Sequence, residues 1–492
     1  MELHGSSDQR YASMVQPAHW ENPTPATRYD LVVIGGGASG IAAAREAKLC
    51  GAKHVALIEA TRLGGDRLTH GTVPFLSLLT GARKAAHITD IIERNRHFVQ
   101  TLEMMRRKRA KLASAISAER LVEEGIDLFF GTARFHSPSE VMIDWSGNSE
   151  LLLFSKALIT TGARATIPQL AGFDQIPFRT PETLYDFEKV PERMAILGGG
   201  GQGVEIAQVF ARFGTRVTLI DKADRLISEA ELYASDLLER TLADNGVQIK
   251  LHTSVTSAKK IEGALQLQIN RFGNDELLEV DEVAIAIGST PNTHNLSLEL
   301  AGVETVQNGV FINDNLQTTN RQIYACGNVI GDRLSRQTAE AQAILAVRNA
   351  IRGERGKLSE LVAPWLIFTD PEIAHVGSSS EELTAKEIPF QRLAIDFTDQ
   401  ERGVIEEEEG VLEILIAPNG TILGASAIHS IAGELLAEIS LAMARKLKLQ
   451  DLAGVHRPFA TRIRALSDLA EEQKRLQPKG FFSSLLQRIP RK

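Results

Sequence analysis

The chain has 492 residues, 43% hydrophobic and 24% charged, an ordinary globular composition that excludes a disordered, fibrous or disulfide-stapled protein and allows about three domains. Lys+Arg number 54 and Asp+Glu 62, and the net charge of -8 gives nucleic acid or an anionic membrane no global attraction, so no nucleic-acid partner is expected. Cys50 and Cys326, the only cysteines, stand far apart in no C-x-x-C arrangement, which fits a reducing, cytoplasmic compartment and excludes a thiolate metal site.

Residues 1–28 are polar, with Asp8, Arg10 and Glu21 interspersed and no apolar run of the signal-peptide kind, and read as a flexible N-terminal extension. Short β-branched apolar runs then alternate with longer amphipathic segments, the sequence form of an α/β protein with parallel strands. A strand over 31–34 runs into Gly35-Gly36-Gly37-Ala38-Ser39-Gly40, a helix follows from Ile41, and a second strand over 55–58 ends in Glu59. Strand, glycine turn, helix, strand and acid succeed one another within about 30 residues. The helical stretch over 74–124 carries the basic run Arg106-Arg107-Lys108-Arg109, read as a solvated helix face, with a docking surface for an acidic partner as the alternative.

The first arrangement then repeats. A strand over 194–197 meets Gly198-x-Gly200-x-x-Gly203, a helix over 204–213 follows, and a strand over 217–220 ends in Asp221. Strands continue to Val310 and a helix covers 338–351. From Pro364 the pattern turns to strands and a hairpin, with an acidic run over 406–409 read as a solvated turn without chemistry, and an amphipathic helix over 431–447. No stretch of about 18 apolar residues occurs, so no span is expected. The tail carries Lys479, Arg488, Arg491 and Lys492 among Phe481, Phe482, Leu485 and Leu486. Such a tail packs on a dimer, stays disordered, or makes peripheral contact with the inner face of a membrane.

Glycines are needed at these spacings because the first permits a tight turn, the second lets backbone approach a pyrophosphate, and the third lets helix pack on strand. The helix N-terminus then offers unpaired N–H groups and a positive dipole end to the anion. Glu59 and Asp221 sit where a carboxylate bonds a ribose 2′-hydroxyl and repels a 2′-phosphate, so NADH is favoured over NADPH, although Lys222 and Arg225 follow closely. Two dinucleotide sites imply two cofactors, most economically a flavin and a nicotinamide in hydride relay.

Several further segments occur in order: Thr160-Thr161-Gly162 before Pro168, Ala286-Ile287-Gly288-Ser289-Thr290-Pro291-Asn292, Tyr324-Ala325-Cys326-Gly327-Asn328, and the run from Pro364 to Gly377 that includes Asp370-Pro371-Glu372. Together with the glycine motifs they make the chain resemble the pyridine nucleotide-disulfide oxidoreductases, the class I flavoproteins that include dihydrolipoamide dehydrogenase, glutathione reductase and mercuric reductase. The resemblance covers about residues 29–469. It implies an α/β fold with two Rossmann-like dinucleotide-binding domains, for FAD and NAD(P), plus a C-terminal α+β dimerisation domain. The expected boundaries are 29–170 for the first part of the FAD domain, 171–298 for the NAD(P) domain, 299–358 for the second FAD part, 359–475 for dimerisation and 476–492 for the tail.

The resemblance also implies FAD held by Gly35, Gly37, Ser39, Gly40, Glu59, Gly64, Gly65, Gly162, Gly327 and Asn328, NAD(P)H held by Gly198, Gly200, Gly203, Asp221 and Gly288, and a homodimer. Asn328 stands where the family has an aspartate, and an amide still donates and accepts there. Glu205 matches the family's glutamate near the flavin ring; alternatively it is a first-turn carboxylate stabilising its helix.

The active-site segment departs from the family. Disulfide-reducing members carry two cysteines where this chain has Arg67 and Thr72, in Gly64-Gly65-Asp66-Arg67-Leu68-Thr69-His70-Gly71-Thr72-Val73-Pro74. Neither side chain forms a disulfide or a thiolate. The family's lysine near the flavin is Leu76, which leaves Glu205 without its usual partner. The C-terminal His-Pro and glutamate are replaced by Arg457-Pro458 and Arg462, and a guanidinium is no proton shuttle at neutral pH. Soluble transhydrogenases of the family resemble this chain in lacking a working cysteine pair, with a Gly-Thr-Ile-Pro where Gly71-Thr72-Val73-Pro74 stands here.

Arg67 therefore either stabilises reduced flavin, attracts an acidic acceptor, or is a loop cation, and His70 either shuttles a proton or has no catalytic role. Cys326 reads as a buried small residue. The expected function is an FAD-dependent NAD(P)H oxidoreductase passing electrons to a small-molecule acceptor other than a disulfide: a quinone, a second nicotinamide or a small electron carrier. Its rivals are a catalytically silent FAD-binding scaffold or redox sensor, and disulfide chemistry retained through Cys50 or Cys326.

Overall fold

From Leu31 to Ile34, successive residues of strand β1 (Tyr29–Ile34) enter two cores, Leu31 and Val33 in one, Val32 and Ile34 in the other. A strand buried on both faces is what a parallel sheet between two layers requires. The computed structural model describes residues 5–307, 309–331 and 335–476. Helix α1 (Ser6–Val15) precedes β1; α2 (Ala38–Leu49), β2 (Val55–Glu59), α3 (Gly65–Thr69), α4 (Thr72–Ala85), α5 (Ile91–Ala113) and α6 (Ala118–Glu123) follow. Next come β3 (Asp127–Phe130), β4 (Thr132–Ser137), β5 (Glu140–Trp145) and β6 (Asn148–Ile159). The sheet order is β3-β2-β1-β6-β5-β4, with the later strand Ile323–Ala325 also on β6. Its β3, β2, β1, β6 and Ile323–Ala325 ladders are parallel; β4, β5 and the first half of β6 form an antiparallel meander.

A short β7 (Ala163–Ala165) leads to the second glycine motif: β8 (Arg193–Leu197), α7 (Gly201–Arg212), β9 (Arg216–Ile220), α8 (Leu232–Asp244) and β10 (Gln248–Lys250). The antiparallel β11 (Thr253–Ile261), β12 (Ala264–Arg271) and β13 (Asn274–Val280) precede β14 (Glu282–Ile285), which completes the parallel order β10-β9-β8-β14. Then follow β15 (Ser289–Pro291), β16 (Thr305–Val306), β17 (Gly309–Val310), β18 (Ile323–Ala325) and α9 (Ser335–Val347). The C-terminal strands are β19 (Trp365–Ile367), β20 (Glu372–Gly377), β21 (Gln391–Asp396), β22 (Val411–Ile416) and β23 (Ile422–His429), with helices α10 (Ser380–Ala385), α11 (Glu401–Glu406), α12 (Ala432–Ala444) and α13 (Ala465–Leu476). They form an antiparallel sheet β19-β20-β23-β22-β21 whose core includes Leu435, Ile439, Leu466 and Leu469 from α12 and α13.

By packing, the chain groups into two units, the two glycine-motif sheets together in one and the C-terminal sheet in the other. One holds the chain up to Ser228 and Glu239–Leu361; the other holds Glu229–Leu238 and the chain from Val362 on. Both glycine-motif sheets share the first unit because α5 and α7 interlock through aromatic rings, Phe98 lying 4.9 Å from Phe213 and 6.2 Å from Phe210. Residues 229–238, expected with the NAD(P) region, group with the second unit. There the Glu231 carboxylate accepts from Ser380 N at 2.8 Å and Ser380 Oγ at 2.6 Å.

The extension expected to be flexible is instead folded over its described residues. Asp8, Tyr11 and Val15 of α1 are all buried, a 3-then-4 spacing that places them on one helix face. The pattern is hidden in the sequence because its first member is a carboxylate, which is paired with Arg109. Further on, Trp20 Nε1 donates to Leu128 O at 3.2 Å, and the Asn22 amide both accepts from Phe130 N and donates to Phe130 O. The basic run is likewise not one solvated face: Arg109 is 1% exposed. Nor is the acidic run merely a solvated turn, for Glu406 and Glu408 pair with Arg462. The basic amphipathic tail lies outside the described residues.

Candidate functional site

The two glycine turns repeat one geometry. A Cβ on Gly40 would overlap the Gly35 carbonyl oxygen, and a Cβ on Gly203 that of Gly198, so the third glycine of each motif lets a helix sit directly on its turn. Gly35 (φ 110°) and Gly198 (φ 114°) take a backbone conformation open mainly to glycine and press against Thr160 and Ala286. The middle glycines behave differently. A Cβ on Gly37 would meet only Gly65 Cα, at 3.9 Å, and one on Gly200 would meet nothing within 4 Å. Both are helix N-caps without a side-chain cap, and the first-turn N–H groups of α2 and α7 have no partner within their own helix. That is the cradle a pyrophosphate needs.

At the ends of β2 and β9 the acids fold back on these turns. Glu59 Oε2 accepts from Gly36 N at 2.7 Å, and Oε1 accepts from Thr61 N at 2.7 Å and Thr61 Oγ1 at 3.0 Å. Burial holds the Glu59 carboxyl above its ordinary range, and these donors oppose the rise. Asp221 likewise folds back on its own turn, accepting from Gly199 N and, at 2.7 Å, from Ala223 N. Arg225 donates to Ser228 O at 2.6 Å, and Lys222 is exposed.

Around the first cradle the chain gathers residues far apart in sequence. Gly64 N donates to Gly36 O at 2.8 Å, and Gly65 lies against Gly37. Gly327 (φ 76°) faces Ser39 Oγ and donates to Gln342 Oε1 at 2.9 Å. Asn328 follows it, half-buried. Gly162 and Gly288 flank the β7–β15 ribbon, where Asn292 Nδ2 donates to Thr161 O at 3.0 Å and Asn292 N to Gly162 O at 2.9 Å. The residues present therefore fit two dinucleotides, one at each turn.

The expected catalytic residues lie on α3, α4 and α7. Arg67 is exposed and its Nη1 lies 3.2 Å from Glu340 Oε1 of α9. His70 ends α3: Nδ1 is 2.8 Å from Thr69 Oγ1, Nε2 is 3.2 Å from Asp66 Oδ1, and its carbonyl accepts from Tyr185 Oη at 3.0 Å. Because Thr69 Oγ1 donates to Gly65 O, it accepts from the His70 ring, and a protonated ring donates at both nitrogens. Thr72 opens α4 and is exposed. Glu205 is half-buried on α7, which packs against α4, and it keeps a partner even though residue 76 is leucine. Tyr185, Glu340 and Gln342 carried no sequence signal of their own, and Thr160 and Asn292 stood out only as members of the segments that carry the resemblance.

Burial pushes the fully buried Cys326 thiol up to about 12 and also raises that of Cys50. In the second unit, Arg457 pairs with Glu438 and donates to Ser467 Oγ at 2.6 Å, while Arg462 is held between Glu406 and Glu408. Among the described residues no group of three or more His, Cys, Asp or Glu side chains could hold a metal ion, and no helix is long and apolar enough to cross a membrane.

The family model described as Pyridine nucleotide-disulphide oxidoreductase matches residues 29–350. The chain belongs to this family. The family's dimerisation domain matches residues 363–461, which points to a homodimer. Similar relatives include a mercuric reductase of Lysinibacillus sphaericus, 30% identical over 88% of this chain and 80% of its own length. A dihydrolipoyl dehydrogenase of Bacillus subtilis is 30% identical over 84% of this chain and 92% of its own. Among solved structures, the HOCl-induced flavoprotein disulfide reductase RclA of Escherichia coli has a TM-score of 0.79 at 25% identity, covering 90% of this chain and 99% of its own. LpdA of Mycobacterium tuberculosis, at 22% identity and TM-score 0.81 over 91% of this chain and all of its own, shares the fold. This chain is thus of an FAD-dependent pyridine nucleotide oxidoreductase family with a mixed α/β fold.

Proposed function

We propose that the chain is an FAD-dependent NAD(P)H oxidoreductase that prefers NADH and delivers electrons to a small-molecule acceptor other than a disulfide. The observation that carries this reading is the filling of both ends of the thiol machinery by charge pairs. Arg67 occupies a cysteine position and pairs with Glu340; Arg457 and Arg462 occupy the acid/base positions and are neutralised by Glu438, Glu406 and Glu408. With Cys326 held far from its thiolate form, neither end offers a redox thiol.

When bound, FAD and the nicotinamide supply the hydride chemistry. The chain's own residues bind and orient them. Gly35, Gly37, Ser39, Gly40, Glu59, Gly64, Gly65, Gly162, Gly327 and Asn328 would hold FAD, and Gly198, Gly200, Gly203, Asp221 and Gly288 the nicotinamide dinucleotide. Asp221 would accept from a ribose hydroxyl and repel a 2′-phosphate, which favours NADH. Arg67 would attract anionic acceptors, and His70 would hold a proton between Thr69 and Asp66. Thr72 and Glu205 would border the reacting faces. Positioning and fixed dipoles account for the catalysis.

The test is anaerobic titration of the FAD-loaded protein with NADH and NADPH, followed by a panel of quinones, nicotinamide analogues, disulfides and mercuric ion. NADH should bleach the flavin without a thiolate-to-flavin absorbance band, and turnover should follow with quinones or nicotinamides. Turnover with a disulfide or mercuric ion that C50S/C326S abolishes would refute the reading, as would flavin that neither nucleotide reduces.

A further inference from the structure

Residues 1–28 lie outside both family matches, yet they provide one partner of an ion pair whose side chains are 2% and 1% exposed. Arg109 Nη2 donates to Asp8 Oδ1 at 2.6 Å, and Arg106 Nε stands 3.5 Å from Asp8 Oδ2. The Arg109 guanidinium lies over the Tyr11 ring, 4.8 Å from its centre. Its other terminal nitrogen, Nη1, donates to Thr69 O at 3.3 Å. Thr69 is the last residue of α3, and its hydroxyl is the partner of His70 Nδ1. At the other end of the same loop, Leu63 N donates to Val15 O, the last residue of α1, at 3.1 Å. The N-terminal helix therefore brackets residues 63–69, directly at Leu63 and through Arg109 at Thr69.

We propose that Asp8 and Arg109 are positioning residues for the His70 loop: α1 holds Arg109, Arg109 holds the end of α3, and α3 presents Arg67 and His70. A buried guanidinium needs a carboxylate to stay buried. Without Asp8 the Arg109 side chain turns to solvent and releases the Thr69 carbonyl. The fork of a guanidinium reaches two acceptors at fixed angles, which a lysine ammonium on a flexible stem does not do equivalently. The contacts stand by themselves; the consequence for catalysis rests on the proposed role of the 67–72 loop.

The experiment is hydrogen–deuterium exchange on the full-length, FAD-loaded protein. The amides of His70 and Gly71 both donate to Asp66 O, so they report whether α3 is closed. In D8L/R109M, where both charges are replaced by apolar groups, the peptide spanning 64–72 should exchange at least about tenfold faster, while the peptide spanning 193–197 keeps its wild-type rate. R109K, which keeps a cation beside Asp8, should show the same local acceleration with the peptide spanning 6–15 still protected. This second variant decides the matter if D8L/R109M does not fold. Wild-type exchange over 64–72 in folded R109K overturns the proposal. R109K should also displace the pH profile of acceptor reduction. A profile unchanged in H70Q would count against the catalytic reading of His70, whereas the exchange rates alone judge the positioning role.

Discussion

Arg67 of α3 and Glu340 of α9, 273 positions apart, are joined at 3.2 Å. Both side chains are more than half exposed, so the pair contributes about 0–1 kcal/mol to stability. R67A should leave the melting temperature nearly unchanged. It should raise KM for an anionic acceptor such as ferricyanide several-fold more than KM for a neutral quinone, with the difference shrinking at high salt. Steady-state kinetics at two ionic strengths measure this, and equal effects on both acceptors would leave Arg67 a mere loop cation.

Substitution at the third glycines should separate the two nucleotide sites. G203A forces a methyl group into the Gly198 carbonyl and should abolish flavin reduction by NADH while the protein still purifies yellow. G40A does the equivalent at the first turn and should yield protein without flavin. Absorbance at the flavin band and stopped-flow reduction report the two losses independently.

The cysteines should be dispensable. C50S/C326S should keep at least about half of wild-type turnover, with a stability loss of about 1 kcal/mol from the buried hydroxyl at 326. Thiol titration of the wild-type protein should find Cys326 unreactive until denaturant is added, since it is fully buried.

Arg457 should prove structural. R457A strands Glu438, Ser467 and the carbonyls of Leu452 and Val455, and should cost about 3 kcal/mol. Flavin reduction by NADH should proceed at the wild-type rate in the folded fraction. Chemical denaturation and single-turnover kinetics together decide; a slowed reduction would give Arg457 a part in the chemistry.

A pH dependence follows from Glu413 of β22, whose carboxyl burial pushes up to about 7, against the lowering effect of Arg392 and with Glu231 adding to the rise. The folded chain then keeps a proton that the unfolded chain gives up above about pH 4.3. Its stabilising contribution is complete below that value and is lost as pH rises through about 7. The difference in melting temperature between wild type and E413Q should therefore move in favour of E413Q from pH 5 to pH 8. A difference constant with pH would mean that Glu413 is ionised throughout.

The nucleotide turns were legible because their requirements are local. Gly35 and Gly40 meet within one turn, and Glu59 reaches back to Gly36 from the end of the adjacent strand. Partner choice among charges was not legible. Arg109 looked like one of four cations on a wet helix, and its carboxylate lies 101 positions away. Glu408 looked like a solvated turn, and Arg462 lies 54 positions beyond it. Such pairings are set by tertiary placement, which periodicity and motif spacing do not encode. Leu76 could be compared with a family lysine, but the sequence could not say what else would satisfy Glu205.

The Asn22 amide bonds both the N–H and the carbonyl of Phe130, on a strand that ends the order of its sheet. A side chain thus does the work of one more strand at an open rim. A chain shortened past residue 22 would present β3 as a bare template for strands of other molecules, and its first symptom would be self-association on storage.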